Sequence, residues 1–517
     1  MNKHYALLSV FDKTGIEDFA RTLIAAGYTI ISTGGTGKRL AQSRIPFVPI
    51  EKITGNPESF DGRMKTISFQ VESGILFDRK KPSHRREAKE LRVPRIDMVV
   101  CNLYPFEQTV AKRGVTMGEA IETIDVGGPT MVRAAAKNFT HVLVVTNPTD
   151  YGRVEEALKN NKADPAFRQE LAAKAFAHLS LYDAQIARYL DHDEYPDELS
   201  IPLRKKERLR YGDNPDQSAV WYQEVGVDST VSRLKLLSGR APSATNITDI
   251  DAGVKAVRIF QTPAAVVIKH NSPCGIALGT TAKQALERAL LSDPESAFGG
   301  VVVLNTPMTM GAAAIIADFK KQGRGMMDVV VAPTFDEHAL QILTEVRKST
   351  GLYTFGRLST TSPNRKMFRW IDGGVIVQKE NDPESLFSKW HVVTTKRPTG
   401  KQLAQMKIAW KFLSRIRSNT ILVLDENLPM ARGIGAGQTS RVLSTKIALE
   451  RAAEFTRGGI LASDSFFPFD DSVKLAAKAG ISAIIQQGGS IRDQDSIDAA
   501  TAAGIAMVFT GQRVFWH

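Results

Sequence analysis

The chain has 517 residues, of which 43% are hydrophobic and 24% charged, and its formal net charge is +12. This length allows roughly three domains, and the composition excludes a largely disordered chain. The two cysteines exclude a disulfide framework, and no signal-peptide or membrane-spanning pattern is found, so we expect a cytoplasmic protein.

The positive charge favours an anionic partner such as a phosphorylated metabolite, a polycarboxylate or a nucleic acid. The basic residues are spread along the chain, without the aromatic-interleaved basic stripe typical of nucleic-acid binding. We therefore expect small-molecule partners, with no nucleic acid and no membrane.

The first part of the chain alternates predicted strands with predicted helices. The helix after the first strand has a capping-box spacing at 14–17, an apolar face repeating from Ile16 to Leu23, and Gly27 at its end. This rhythm predicts a parallel sheet covered by helices. The predicted strands cover residues 5–10, 28–32, 98–103 and 141–145.

A long helical pattern at 164–190 ends in an acidic segment broken by proline. We place a domain boundary there, which divides the chain into residues 1–195 and 196–517. The second part again alternates strands and helices, and two similar sections around 264–303 and 420–463 suggest a duplicated α/β unit.

Three segments of the first domain suggest a phosphorylated ligand. Residues 33–36 (TGGT) lie between a strand and a helix, and residues 125–130 (DVGGPT) place a proline at the start of a helix. Glycines let the backbone approach a ligand, and helix-start amides attract anions. Residues 62–66 add the cations Arg63 and Lys65. Each segment alone is equally consistent with a tight turn or a charged surface.

In the second domain, an apolar strand at 264–268 delivers Lys269 and His270 side by side and is predicted to end in a Ser272-Pro273 turn. Histidine exchanges protons near neutral pH, and a neighbouring ammonium tunes it. Such a pair at a strand end is also compatible with a solvated or structural role.

Two further segments of this domain are considered as ligand-binding segments. Arg210 and Tyr211 could hold a phosphate or stack on a ring, whereas the glycines at 433–438 lack the spacing of a dinucleotide fingerprint. Cys274 follows a proline as in zinc deaminases, but Ala277 stands where the second cysteine would be, so we expect no zinc.

These segments, in this order, closely resemble the bifunctional purine-biosynthesis family that joins AICAR formyltransferase to IMP cyclohydrolase. The resemblance runs nearly end to end. It is carried by SVFDKTG at 9–15, TGGT at 33–36, CNLYPF at 101–106, RAAAKN at 133–138, RYG at 210–212, KH at 269–270, SAFGG at 296–300, SN at 418–419, GIGAGQTSR at 433–441, ASDSFFPF at 462–469 and RVFWH at 513–517.

The resemblance implies an α/β fold class: an N-terminal methylglyoxal-synthase-like parallel sheet domain and a C-terminal duplicated cytidine-deaminase-like α/β domain without zinc. It implies a homodimer with transformylase sites at the subunit interface. It also implies 10-formyltetrahydrofolate as co-substrate, AICAR and FAICAR/IMP as ligands, and leaves the use of a monovalent cation open.

The resemblance further implies which residues act. For formyl transfer, His270 would be the base for the AICAR amine, assisted by Lys269 and Asn419. For ring closure, the matching catalytic positions are Lys65, Tyr104, Asp125 and Lys137. The implied substrate-binding positions are Arg210, Tyr211, Phe298, Gly299, Asp328, Arg513 and Phe515 in the second domain, and Thr33, Gly34, Gly35, Thr36, Arg63, Thr66, Gly127 and Gly128 in the first. Phe466 and Asp471 would lie on the folate side.

The chain departs from the family near Lys65. Residues 67–69 (ISF) replace the usual Leu-His-Pro, and Glu72 stands in place of a second histidine. A third departure is Asp216, which replaces the histidine of the usual Asn-Pro-His-Gln. Two alternatives therefore stay open: a transformylase whose first domain only binds nucleotide, and a noncatalytic nucleotide- or RNA-binding protein, although the retained Lys269-His270 pair speaks against the latter.

Overall fold

The computed structural model describes residues 3–60, 62–323, 325–359, 366–385 and 387–517. The chain forms two compact units. The first comprises Met1–Arg204 with Gln223–Gly226, and the second comprises Lys205–Tyr222 with Val227–His517. The sequence-based boundary after residue 195 stays a prediction. Among the described residues, no helix combines the length and the apolar character needed to cross a membrane.

The first unit is built on a five-stranded sheet. Its strands are β1 (His4–Val10), β2 (Tyr28–Ser32), β3 (Val48–Pro49), β4 (Ile96–Asn102) and β5 (Leu143–Val145). Its helices are α1 (Ile16–Ala25), α2 (Gly34–Gln42), α3 (Glu51–Thr54), α4 (Phe69–Leu76), α5 (Pro82–Glu90), α6 (Phe106–Val110), α7 (Met117–Glu122), α8 (Gly127–Lys137), α9 (Tyr151–Lys159) and α10 (Pro165–Leu190).

All strands of this sheet run parallel, in the order β3-β2-β1-β4-β5. The predicted parallel sheet is therefore confirmed. The chain fills one side of β1 with β2 and β3, and then crosses to the other side for β4 and β5. Ligands of open α/β sheets bind outside the carboxyl ends of the strands at such a reversal. A ligand site is therefore expected in the gap between the ends of β1 and β4.

Of the two predictions made for α1, one is confirmed and one is wrong. The apolar face of α1 is confirmed, since Ile16, Phe19 and Leu23 are fully buried. The predicted capping box is wrong: Gly15, with φ 70°, caps α1 without any side-chain hydrogen bond. The reason is that the Thr14 hydroxyl donates instead to Asp12 Oδ1, at 2.7 Å.

The second unit contains two six-stranded sheets. After the ribbon β6 (Leu203–Arg208) and β7 (Val220–Glu224), the first half comprises β8 (Lys235–Ser238), α11 (Ala244–Val257), β9 (Ala264–Lys269), β10 (Ser272–Leu278), α12 (Ala282–Ser292), β11 (Val301–Leu304), α13 (Met310–Lys321), β12 (Val329–Ala332), α14 (Glu337–Val346) and β13 (Gly351–Thr354). A hairpin follows, β14 (Lys366–Ile371) and β15 (Gly374–Lys379). The second half comprises β16 (His391–Val392), α15 (Gly400–Leu413), β17 (Ile421–Leu424), β18 (Ala431–Gly435), α16 (Arg441–Ala452), β19 (Ile460–Ser463), α17 (Asp471–Lys478), β20 (Ala483–Gln486), α18 (Asp493–Ala502) and β21 (Ala506–Phe509).

The two halves share one topology. Their strand orders, β10-β9-β11-β12-β13-β8 and β18-β17-β19-β20-β21-β16, correspond strand by strand. The directions correspond as well: two antiparallel pairs, two parallel pairs and a final antiparallel pair in each sheet. The duplication that the sequence suggested is therefore present.

Two of the glycines at 433–438 serve this packing. Gly433 lies within β18, where an added Cβ would overlap the backbone of Ala448 in α16. Gly275 repeats this contact in the first half, against the backbone of Ala289 in α12. Glycine at these strand positions lets a helix backbone come close, so a nucleotide loop is not needed to explain them.

Candidate active sites

The reversal in the first sheet brings the ends of β1 and β4 together. Asn102, the last residue of β4, accepts hydrogen bonds from the backbone N–H groups of Phe11 and Asp12 at 2.7 and 2.8 Å. The Phe11 ring meets the Tyr104 ring edge-on, with centroids 5.6 Å apart. Tyr104 is thereby held at the mouth of the gap, and it is 52% exposed.

Helix α2 begins at this edge. Thr33 is its extended N-cap, so Gly34, Gly35 and Thr36 form the first helical turn and not the loop that the sequence predicted. The Thr36 hydroxyl bonds to both the N–H and the carbonyl of Val10, at 2.9 and 3.0 Å. These bonds fix the helix start beside β1. The first amides of a helix lack intrahelical partners and attract anions.

Lys65 and Thr66 approach the two helix starts. A Cβ on Gly34 would overlap Lys65 Nζ, so a larger residue there would displace the ammonium from its present position. A Cβ on Gly127, the first residue of α8, would lie 2.5 Å from Thr66 Oγ1. Lys65 Nζ also pairs with Glu58 at 3.0 Å. An ammonium, a hydroxyl and two helix N-termini therefore converge on one space, which suits a phosphate.

Asp125 joins this group from the side of α8. Its Oδ1 accepts the N–H of Gly128 at 2.8 Å, and its own N–H donates to the Tyr182 hydroxyl at 2.8 Å. Burial raises the pKa of the Asp125 carboxyl, an effect opposed by hydrogen bonds from the N–H groups of Gly128 and Tyr104. Helix α8 starts at Gly127, so Pro129 is its third residue and not its first, contrary to prediction.

Two predicted residues of this unit lie apart. Lys137 is the last residue of α8 and is exposed. A rise of about 1.5 Å per residue places its Cα about 15 Å from that of Gly127. Arg63 is also exposed and pairs with Glu122. Within one chain, the described residues do not bring Lys137 to the Lys65–Asp125 group.

Sequence reasoning missed Lys13 as a site residue. A Cβ on Gly35 would lie 3.7 Å from Lys13 Nζ, which donates to the Phe11 carbonyl at 3.0 Å. Lys13 therefore adds a second ammonium beside the start of α2. The available signal was its place between a strand end and a helix start, in the segment that follows β1.

The departures near Lys65 lie on α4 and just before it. Ser68 caps this helix by accepting the N–H of Val71 at 3.2 Å. Both carboxyl oxygens of Glu72 are inaccessible to solvent and have no hydrogen-bond partner among the described residues. Burial raises the pKa of Glu72 to about 7. Glu72 is thus a buried carboxyl group without a hydrogen-bond partner among the described residues, in the first turn of α4.

In the second unit, Lys269 ends β9 and Ser272 begins β10, so the turn consists of His270 and Asn271. Both have positive φ, 55° and 62°. The predicted Ser272-Pro273 turn is wrong, because Pro273 already pairs with Ile268 in the antiparallel ladder. Positive φ at both central residues is the pattern of a type I′ two-residue hairpin turn, which agrees with a turn at His270 and Asn271.

The Lys269 ammonium donates to the Phe298 carbonyl at 2.9 Å and so joins the turn to the loop before β11. In that loop Gly299 has φ 72°. The Asp328 N–H donates to the Gly300 carbonyl at 3.0 Å, and its carboxylate pairs with Arg347 at 3.1 Å. Lys269, Phe298, Gly299 and Asp328 therefore form one connected group.

Asn419 precedes β17 in the second half. Its Oδ1 accepts from Arg441 Nη2 at 2.7 Å, and its Nδ2 donates to the Gln438 carbonyl at 2.9 Å. Arg441 is buried and also binds Ser463 Oγ, at 2.9 Å, and the Asp464 carboxylate. The sequence shows that Arg441 is the last residue of the 433–441 motif, but it does not show that Arg441 contacts Asn419.

A cavity of about 310 Å³ connects the two halves of this unit. Lys269, His270 and Cys274 line it from the first half, and Arg432 and Gln438 line it from the second. Because the Gln438 carbonyl also holds the Asn419 amide, all three predicted catalytic groups of this unit border or support one space.

The other predicted residues of the second unit do not line this cavity. The Arg210 guanidinium lies over the Tyr211 ring at 4.7 Å, and Arg513 lies over Phe515 at 5.0 Å. Phe466 is half-buried just after β19. Asp471 begins α17, where its carboxylate accepts the N–H of Ser472 at 2.6 Å.

Cys274 lies at the cavity wall, where its thiol contacts the Val267 carbonyl at 3.4 Å. Burial raises the pKa of this thiol. In the part of the chain that the structure describes, no group of three His, Cys, Asp or Glu side chains is arranged to hold a metal ion.

Comparison with known proteins gives consistent matches along the chain. A family model described as AICARFT/IMPCHase bienzyme matches residues 135–451, and an MGS-like domain model matches residues 15–130. Bifunctional purine biosynthesis protein PurH of Oceanobacillus iheyensis is 42% identical over 99% of this chain and 99% of its own. The protein of the same name from Acetivibrio thermocellus is 44% identical over the same shares. The crystal structure of ForH is 36% identical, covers 36% of this chain and 95% of that chain, and has a TM-score of 0.33.

Proposed function

The chain belongs to the AICARFT/IMPCHase bienzyme family, and from this premise we propose how its residues divide two reactions. The protein catalyses the last two steps of purine nucleotide biosynthesis: formylation of AICAR with a folate co-substrate, and closure of the product to IMP. A first domain that only binds nucleotide is not favoured, because the bifunctional relatives match 99% of the chain.

Ring closure is assigned to the first unit. The carboxamide nitrogen of FAICAR attacks its own formyl carbon and water leaves, so the protein has to orient the substrate, stabilise charge and move protons. The helix starts at Gly34 and Gly127, with Thr66, are proposed to hold the phosphate and ring. Lys65 and Asp125 are proposed as catalytic groups, supported by their convergence on one space.

Three further roles in ring closure rest on the resemblance. Tyr104 is proposed as catalytic and Arg63 as substrate-binding. Lys137 is proposed as catalytic on the resemblance alone, since its Cα lies about 15 Å from Gly127 in the same chain.

Formyl transfer is assigned to the second unit. The AICAR 5-amine is a weak nucleophile, because its lone pair is delocalised into the ring. His270 is proposed to take its proton during attack on the formyl carbon, while Lys269 helps the folate nitrogen to leave and Asn419 orients the substrate. Positioned acid–base groups contribute about a hundred- to ten-thousand-fold in rate.

The substrate contacts of formyl transfer are also proposals. We propose that the nucleotide is held by the set Arg210, Tyr211, Phe298, Gly299, Asp328, Arg513 and Phe515. The folate is proposed to contact Phe466 and Asp471. The link from Lys269 to Phe298 supports placing the base of AICAR beside the His270 turn.

Several coarser expectations continue as proposals. We propose 10-formyltetrahydrofolate as the formyl donor, without zinc, since Ala277 replaces the second cysteine of the zinc-deaminase motif. A cytidine-deaminase-like fold is proposed for each half of the second unit. A homodimer is proposed on the resemblance, which leaves the use of a monovalent cation open. A cytoplasmic location is proposed from the cysteine usage, and the division at residue 195 is proposed from the proline-broken acidic segment there.

The observation that carries this assignment is the cavity lined by Lys269 and His270 and bounded by the Gln438 segment that holds Asn419. His270→Ala is expected to abolish formyl transfer, followed by tetrahydrofolate absorbance, and to leave conversion of synthetic FAICAR to IMP intact. Lys137→Ala is expected to do the reverse. If either variant loses both steps while its fold is preserved, this division of labour is wrong.

A further inference from the structure

The turn that presents His270 has an unfavourable backbone. His270 and Asn271 are consecutive non-glycine residues with φ values of 55° and 62°. Side chains with a Cβ rarely adopt this left-handed conformation, and it persists only where the surroundings hold it. The flanking ladder of β9 and β10 sets this turn, and a contact from outside the hairpin would further restrict its backbone and keep the imidazole in one position at the cavity.

The holding group is the carboxylate of Asp249, on α11. Asp249 Oδ1 accepts the backbone N–H of Asn271 at 2.7 Å. With its carboxamide turned to donate, the Asn271 side chain also reaches Asp249 Oδ1 at 3.3 Å and Thr248 Oγ1 at 2.9 Å. Burial raises the pKa of Asp249, whereas the hydrogen bonds from Asn271 and from the backbone of His270 lower it.

The remaining contacts show that this carboxylate is not otherwise engaged. Among the described residues, no lysine or arginine forms an ion pair with Asp249, and the titratable side chain beside it is the His270 imidazole. Helix α11 also anchors the proposed nucleotide-binding pair, because the Ala244 N–H at its start donates to the Tyr211 carbonyl at 3.0 Å. One rigid helix thus fixes both the turn and Tyr211.

We propose that Asp249 is a positioning residue for formyl transfer, whose carboxylate holds the left-handed His270–Asn271 turn and so keeps the imidazole directed into the cavity. The inference rests on the proposed role of His270. A misplacement of about 1 Å in a reacting group can cost about a hundredfold in rate. The loss is expected in kcat, because Asp249 is not among the groups proposed to bind the nucleotide.

The test uses the full-length protein and three variants. Asp249→Ala is expected to lower kcat for formyl transfer about a hundredfold and to leave KM for AICAR within about threefold. Asp249→Asn keeps an acceptor oxygen and is expected to lose less. Asp251→Ala is the matched control, since Asp251 lies on the same helix but pairs with Lys255 at 2.6 Å, and its kcat is expected to stay near wild type.

Rescue separates positioning from a general loss of packing. Glycine adopts positive φ without strain, so Asn271→Gly added to Asp249→Ala is expected to recover about tenfold or more of the lost kcat. If the double variant recovers nothing, or if Asp249→Ala leaves kcat within about twofold of wild type, the inference is overturned. FAICAR cyclisation by the same samples reports on the fold of the first unit.

The failure of the proposed function looks different. If His270→Ala still transfers formyl groups, the role of the turn itself is wrong, whatever Asp249 does. If His270→Ala is inactive while Asp249→Ala is fully active, only the positioning role of Asp249 is lost.

Discussion

Glu72 makes the first unit less stable as pH rises. A carboxyl whose folded pKa is raised above its unfolded value binds its proton more tightly in the folded state. For Glu72 the pKa rises from 4.5 to about 7 because burial disfavours the charged form. The contribution of Glu72 to stability is therefore most favourable below about pH 4.5 and falls as pH rises toward 7, with its full loss present above that value.

The magnitude follows from the linkage relation. A fully buried group with this change in pKa would cost about 3 kcal/mol at pH 8. The carboxyl oxygens of Glu72 are covered, but the residue as a whole is only partly buried, so solvent screening reduces this to about 1–2 kcal/mol. Glu72→Gln removes the charge and nearly preserves the shape, so it is expected to stabilise the first unit by that amount at pH 8 and by almost nothing at pH 5.

The assay has to report on the first unit alone. All five tryptophans lie at residue 221 or later, so their fluorescence follows the second unit. Hydrogen exchange in peptides from the buried strand β4 reports the opening of the first unit, and comparing variants at one pH cancels the intrinsic exchange rate. Glu90→Gln, at an exposed glutamate of α5, is the matched control. Equal protection of wild type and Glu72→Gln at pH 8 would refute the reasoning.

Three further substitutions separate the two units. Gly34→Ala puts a methyl group against Lys65 Nζ and is expected to lower the rate of IMP formation from FAICAR at least about tenfold, with formyl transfer unchanged in the same sample. Tyr182→Phe leaves the Asp125 N–H without its acceptor and is expected to cost about 1–2 kcal/mol in hydrogen-exchange stability and to slow ring closure. Gly433→Ala forces a methyl group into the backbone of α16 and is expected to destabilise the second unit by about 1–3 kcal/mol, measured by urea unfolding with tryptophan fluorescence; unchanged unfolding would show that the helix can move away.

Periodicity predicted the elements whose burial is one-sided or complete. The long helix at 164–190 was predicted within one residue of α10, because Asp164 caps it and Pro165 opens it. The first residues of helices and the positions of turns were less predictable, since they depend on which neighbouring group hydrogen-bonds to a polar side chain or pairs with the backbone. Asp12 takes the Thr14 hydroxyl, and the antiparallel ladder draws Pro273 into β10.

The duplication shows a different limit. Strands such as β11 and β19 are fully buried four-residue segments of mostly apolar residues, which any buried strand could have, so sequence similarity between the halves is faint. What repeats is the connectivity, together with the glycines that admit a helix backbone, Gly275 and Gly433. A duplicated fold can therefore be evident in strand order while remaining only a suggestion in the sequence.

The sequence could not predict which groups position the candidate catalytic residues, because these groups are far away along the chain. Asn271 and its acceptor Asp249 are 22 residues apart, and Tyr182 is 57 residues from Asp125. Motifs record the side chains that meet the substrate, whereas their orientation is set by hydrogen bonds that exist only after distant elements pack. A chain could keep every motif of this family and still lose formyl transfer through one carboxylate on α11, which is why Asp249 tests whether motif matching is sufficient evidence of activity.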